Sequence, residues 1–287
     1  MECDLFSTKQ KYRLISLASG SSGNCYFLGT VSCGILIDAG IGIRTIKKTL
    51  REFGISIENI MAVLVTHDHA DHIRTVGSLG EKLHVPIYAT EATHAAISRS
   101  HYVQDKLIAS KRIIEKEKPF LVHGFEVTAF EVPHDSFDNV GYHICFGQNK
   151  FTLATDVGHI TDRIEYYAKQ AEHLVIESNY DEEMLKFGAY PEYLKHRITN
   201  GTGHLSNRQA ADFLASIYSK KLTDIWLCHL SHDNNHPELA YKTVEERLLE
   251  EGIKVGKDVL LQTLNRGKPS KAKEFELREG REVLLNV

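Results

Sequence analysis

The hexad His67-Asp68-His69-Ala70-Asp71-His72 places three imidazoles and two carboxylates in six consecutive residues, directly behind the apolar run Ile60-Met61-Ala62-Val63-Leu64-Val65. The run is uncharged and rich in branched side chains, so it reads as a buried strand, which requires a sheet covered by other layers. The hexad then opens a loop at the strand's end, where sites are usually built. Imidazole and carboxylate are donors for zinc, manganese and iron. Alternate residues of an extended segment point the same way, so His67 and His69 can grip one cation. Asp71 and His72 follow as the chain turns and can reach a second. A polar surface loop has no structural use for five such donors in six residues.

Hydrophobic patterning around the hexad gives the frame. Tyr12 to Ala18, Cys25 to Leu28 and Gly34 to Ile37 read as strands, with the loop Ser19-Gly20-Ser21-Ser22-Gly23-Asn24 between the first two. Residues 44–53 have helical spacing, 73–83 and 90–100 read as further helices, and 85–89 as a short strand. Then come strands at 120–122, 125–132, 141–146 and 150–154, a helix at 161–168 and a buried strand at 173–176. The spacing predicts helices over 181–198, 207–220 and 238–251, with strands at 224–228 and 258–264. Strands dominate the first half and alternate with helices in the second, which suits two packed sheets with helices outside.

The chain of 287 residues, 42% apolar and 25% charged, is expected to form one domain over 1–287, with a short basic extension from about 266 to the end. Arg266, Lys268, Lys271 and Lys273 read as a solvated terminus. Five cysteines, an odd count with no C-x-x-C spacing, argue against a disulfide framework. Cys25, Cys33, Cys145 and Cys228 sit in apolar surroundings and read as small core residues. No apolar stretch approaches the length of a membrane span, and residues 1–4 lack a signal-peptide pattern. A cytoplasmic protein is expected. The net charge of -4 argues against coating nucleic acid by bulk electrostatics, but not against holding it locally.

His134, Asp156, His229 and Asp38 each follow an apolar run. Singly, such residues are often turn formers; with the hexad they complete what two cations need. One ion would take His67, His69 and His134, the other Asp71, His72 and His229, with Asp156 bridging. Two ions so placed can hold a bridging hydroxide and clamp both attacking and leaving oxygens. Asp38 is expected to orient a ligand imidazole from behind.

An aspartate after an early strand, then H-x-H-x-D-H, a His, an Asp and a last His, in this order, resembles the metallo-β-lactamase fold superfamily. The resemblance implies an α+β fold, the αββα sandwich of two mixed β-sheets with external helices, and metals at the sheet edges. Ser19–Asn24, Gly203-His204-Leu205-Ser206-Asn207 and His229-Leu230-Ser231-His232-Asp233-Asn234-Asn235 resemble the YycJ/WalJ branch. That likeness implies a cytoplasmic, metal-dependent exonuclease acting 5′ to 3′ on double-stranded DNA. Glu177 and His204 resemble the Glu/His pair of transfer-RNA 3′-processing nucleases, in which the His protonates the leaving oxygen and the Glu orients it. The intervals from His134 to Asp156 and from Asp156 to His229 are too short for the extra arm or domain of the RNA-processing relatives.

The resulting expectation is phosphodiester hydrolysis by a metal-bridging hydroxide, with Asp71, Glu177 and His204 as catalytic residues and two divalent ions, zinc or manganese or else iron. His204 would protonate the departing 3′-oxygen, giving 5′-phosphorylated products. Ser21, Ser22, Asn24, Ser231, His232 and Asn235 are candidate contacts to phosphate or sugar. Arg74, Lys195, Arg197 and Arg208 are candidates for the strand backbone. Two alternatives stand beside this one. A small-molecule hydrolase of the same fold, cleaving a thioester, lactone or β-lactam, would need the metals but not Glu177 and His204. A regulatory binding protein would keep a metal for structure, which two adjacent open sites argue against.

Overall fold

The computed structural model describes residues 11–275. The readings of residues 1–4 and of the end of the basic extension, 276–287, lie outside the described residues.

Fourteen described strands form two mixed sheets of seven. They are β1 (Tyr12–Ala18), β2 (Cys25–Gly29), β3 (Gly34–Ile37), β4 (Ile60–Leu64), β5 (Ile87–Thr90), β6 (Lys111–Ile114), β7 (Phe120–Val122), β8 (Phe125–Glu131), β9 (Val140–Phe146), β10 (Asn149–Ala154), β11 (His173–Glu177), β12 (Asp224–Cys228), β13 (Leu260–Thr263) and β14 (Lys273–Phe275). The first sheet runs β14-β1-β2-β3-β4-β5-β6 and the second β13-β12-β11-β10-β9-β8-β7. Strands β3 to β6 are parallel, as are β10 to β13, and the remaining pairings are antiparallel. Strands β2, β3, β11 and β12 are buried along their whole length, as expected of strands covered on both faces.

The helices are α1 (Ile43–Glu52), α2 (Ala70–Ile73), α3 (Glu91–Arg99), α4 (Asp162–Ala168), α5 (Glu182–Phe187), α6 (Glu192–Thr199), α7 (Asn207–Ile217) and α8 (Pro237–Glu250). Between the sheets lies one apolar layer that includes Tyr26, Ile37, Phe125, Tyr142 and Trp226. A second layer seats Ile46 and Leu50 of α1 and Ile97 of α3 on the outer face of the first sheet. A third seats Ile164, Leu214 and Val244 of α4, α7 and α8 on the second. The order helix, sheet, sheet, helix is the αββα sandwich. Among the described residues no helix is long and apolar enough to cross a membrane.

Four differences from the sequence reading bear on the site. The helix read from residue 73 starts three residues earlier: His69 is the N-cap of α2, Asp71 sits in its first turn, and a π-helical turn at Ser78–Lys82 closes the segment. An acidic residue in a first turn is favoured by the helix dipole. The helix read over 181–198 is broken at Gly188-Ala189-Tyr190-Pro191, because proline cannot continue a preceding helix. Strands β6 and β14 were not expected. Both are edge strands carrying charge, which blunts their apolar signal. The basic stretch is accordingly only partly solvated: Lys268 and Lys271 are exposed, but Arg266 donates to the carbonyl of Ser231, and Lys273 pairs with Asp224 of β12 at 2.5 Å. Finally, Cys25, Cys145 and Cys228 are thiols, while Cys33 lies in the core as read but is disulfide-bonded, which corrects the expectation of no disulfide.

Candidate metal centre

The parallel halves of the two sheets end on one edge of the sandwich, the position where open α/β sheets present ligands. There Asp38 follows β3, His67 follows β4, Asp156 follows β10, Glu177 ends β11 and His229 follows β12. Asp38, Asp156 and His229 all have left-handed backbone, with φ of 60°, 55° and 54°. For residues other than glycine this conformation costs on the order of 1–3 kcal/mol, and here it turns each side chain off its strand into the common space. Gly40 lets the chain after Asp38 pass against α2, since a Cβ there would lie 1.6 Å from the Asp71 carbonyl.

Donor atoms of His67, His69 and His134 lie within 4.8 Å of one another, and so do those of Asp71, His72 and His229. Asp156 stands between the groups: its carboxylate is 3.3 Å from His72 Nε2 and 3.7 Å from His134 Nε2. The outward nitrogens are fixed from behind. His72 Nδ1 donates to Asp38 at 2.7 Å, and Asp38 is itself held by the Thr66 amide and hydroxyl. His134 Nδ1 donates to the Gly203 carbonyl at 3.1 Å. His229 Nδ1 donates to Glu177 at 2.8 Å. Each ring is thereby set with Nε2 carrying the lone pair.

The donor set fits a divalent cation on two further observations. Nε2 of His67 and Nε2 of His229 are buried and have no hydrogen-bond partner, whereas most buried polar atoms in folded proteins are paired. Four carboxylates, Asp38, Asp71, Asp156 and Glu177, also converge, and among the described residues their ion-pair partners are imidazoles alone. Burial opposes charge on His229, yet Asp156, Asp71 and Glu177 overcome it and push the imidazole up to about 10. His72 is raised in the same way, against burial, by Asp38, Asp156 and Asp71. Burial opposes charge on Asp156 too, and the imidazoles of His229 and His72 hold it well below the usual carboxylate range. This edge demands positive charge, as protons or as metal, and the two compete for the same nitrogens.

Glu177 connects the donors to His204. Its Oε1 accepts from both His204 Nδ1 at 2.9 Å and His229 Nδ1 at 2.8 Å, while Oε2 accepts the amides of Val157 and Leu205. The capping box of Ser206 and Gln209 that starts α7 fixes the chain two residues beyond His204. His204 lines a pocket of about 260 Å³ together with His69, Asp71, His134, Asp156 and His229.

The other sequence candidates divide. Ser21 and Ser231 line this pocket and Ser22 is exposed beside it. His232 is exposed and bonds Asp233. Asn24 and Asn235 are buried: Asn24 braces Gly20 and His72, and Asn235 ties Ser178, Asn179 and Asn207 together. Both side chains are engaged with neighbours inside the protein, unlike the exposed Ser21, Ser22 and His232 of the same loops. Arg197 lines the pocket, Lys195 donates to the Lys186 carbonyl, and Arg74 and Arg208 are exposed. Sequence reasoning missed Thr66, Asp135, Asn179 and Tyr190. Asp135 lies 3.3 Å from His134 Nε2 and is paired with Arg197 at 2.5 Å. Its position directly after His134 was the available signal. Tyr190 reaches the pocket only through the break before Pro191.

The model of a beta-lactamase superfamily domain matches residues 34–225. Exodeoxyribonuclease WalJ of Streptococcus pneumoniae (strain D39) is 36% identical over 242 residues, covering 84% of this chain and 90% of the relative. Exodeoxyribonuclease YycJ of Bacillus anthracis is 36% identical over 240 residues, with the same coverage of 84% and 90%. Among solved structures, the metallo-beta-lactamase fold protein YhfI of Bacillus subtilis superposes with a TM-score of 0.67 at 16% identity, covering 92% of this chain and all of that one.

Proposed function

We propose, since this chain belongs to the beta-lactamase superfamily, that it is a metal-dependent exodeoxyribonuclease that digests double-stranded DNA from 5′ to 3′ with two divalent cations, zinc or manganese or else iron. The activity follows the two exodeoxyribonucleases of 36% identity that match most of the chain. They favour the nuclease over a small-molecule hydrolase. The observation that carries the reading is the meeting of two donor groups at Asp156, with the His204–Glu177 pair on the same pocket.

In this reading His67, His69 and His134 hold one ion, and Asp71, His72 and His229 the other, with Asp156 shared. When bound, such ions supply an activated water and neutralise the scissile phosphate. The residues do the rest. Asp38 and Glu177 keep the ring nitrogens of His72 and His229 aimed at the pocket. His204, with Nδ1 bonded to Glu177, is the proton donor to the departing 3′-oxygen. The 5′-phosphate then stays with the next nucleotide. Ser21 and Ser231 face the phosphate or sugar, and Arg197 the strand backbone.

Digestion of end-labelled linear duplex DNA with added manganese or zinc tests the reading. Stepwise release from the 5′ end is expected, with a loss of at least about a hundredfold in Asp156→Ala. Full turnover by that variant under metal-controlled conditions would overturn the shared-carboxylate arrangement.

A further inference from the structure

We propose that Phe137 and Tyr193 are a stacking pair at the mouth of the pocket that receives the terminal bases of the DNA strand being digested, an inference that rests on the nuclease reading above.

The two rings are 69% and 77% exposed, among the most exposed large apolar side chains described. Single exposed apolar residues need no explanation, but these two flank one feature. Arg197 of α6 crosses the mouth to Asp135, with Nε 2.5 Å from the carboxylate. Tyr193 stands one helical turn before Arg197, on the same face of α6. Its chain neighbour Leu194 lines the pocket, as does Arg197 itself. Phe137 lies two residues beyond Asp135. Its amide donates at 3.2 Å to Asp68, which sits between His67 and His69. Phe137 thus follows the Asp135 end of the bridge in the chain and Tyr193 precedes the Arg197 end, each next to chain that forms the pocket.

Charge complementarity selects the occupant. The Arg99 guanidinium lies 5.2 Å from the centre of the Phe137 ring, and Arg197 follows Tyr193 on α6. Aromatic faces beside cations, leading to a phosphodiesterase pocket, match a nucleic-acid strand, whose bases stack while its phosphates pair. The pocket of about 260 Å³ is below the usual size of ligand sites. A pocket of this size favours one nucleotide unit over a base pair, so bases next to a scissile phosphate seated there gain from another surface to stack on. The pair supplies that surface without reading sequence, because every base has a π-face.

The test compares two linear duplexes, one with ordinary 5′-terminal nucleotides and one whose terminal nucleotides lack the base on the digested strand. Wild-type holoenzyme is expected to prefer the base-bearing end, and the Phe137→Ala/Tyr193→Ala double variant to lose about tenfold of that preference. An unchanged preference, whatever the absolute rates, overturns the stacking pair. Wild-type protein loaded with metal that cuts neither duplex overturns the nuclease reading itself and this inference with it.

Discussion

Glu177 Oε1 accepts from His204 and His229 at once, so one oxygen serves both the proposed proton donor and a proposed metal ligand. Glu177→Gln should therefore weaken metal retention by about 10–100-fold as well as slow turnover. His204→Ala should slow turnover by about 10²–10⁴ while metal content holds. Metal analysis beside DNA digestion separates the two; equal metal loss in both variants would refute the division of labour. Asp38 presents the simpler case. Asp38→Ala frees the His72 ring and should cost about 10–100-fold in metal affinity by chelator competition. At this scale the clustering of His67, His69, Asp71, His72, His134, Asp156 and His229 could be read because donor chemistry at strand ends is a local signal, whereas Asp68 instead accepts the Phe137 amide. Thr66 and Asn179 could not, since each acts only through a neighbour that the fold supplies. Asn24 and Asn235 were candidates through the loop motifs that hold them, and their burial and internal hydrogen bonds are set by the fold rather than by the motifs.

Strand β14 shows why some elements escape sequence patterning. Lys273-Glu274-Phe275 offers a single apolar residue, and its burial depends on both sheets: Phe275 meets Phe146, His173 and Trp226. Phe275→Ala should cost about 3 kcal/mol in urea unfolding; a cost below about 1 kcal/mol would mean that the edge is ornamental. The α5–α6 break was hidden differently, because the apolar periodicity continues across Pro191 and only backbone chemistry interrupts it. The central strands were plain in the sequence, being long apolar runs. On β9, burial pushes His143 down to about 4. The unfolded chain takes up a proton below about 6.5 that the folded chain refuses, so stability falls as pH drops from about 6.5 to 4. His143→Gln should remove up to about 3 kcal/mol of that fall, read from urea midpoints across the interval. An identical fall in the variant would assign the pH dependence to other groups.

For the whole molecule, the centre joins both sheets: His67 and His72 come from the first, Asp156 and His229 from the second. Metal bound there clips the sandwich along one edge. Chelation should lower the thermal midpoint by at least about 5 °C, since a ligand well above its dissociation constant adds a few kcal/mol. The difference should shrink toward pH 5, where protons displace metal from the imidazoles. Calorimetry with and without chelator checks both, and a midpoint indifferent to chelator would mean that the sheets are held by their apolar layer alone. The left-handed residues 38, 156 and 229 carry this one step further. Each spends folding energy on a posture that glycine would adopt freely. Heat-resistant descendants bred without regard to activity should therefore collect glycine at these three places, growing sturdier as they lose their metal. What keeps the three side chains in a lineage is use, and their loss would date the point at which the use ended.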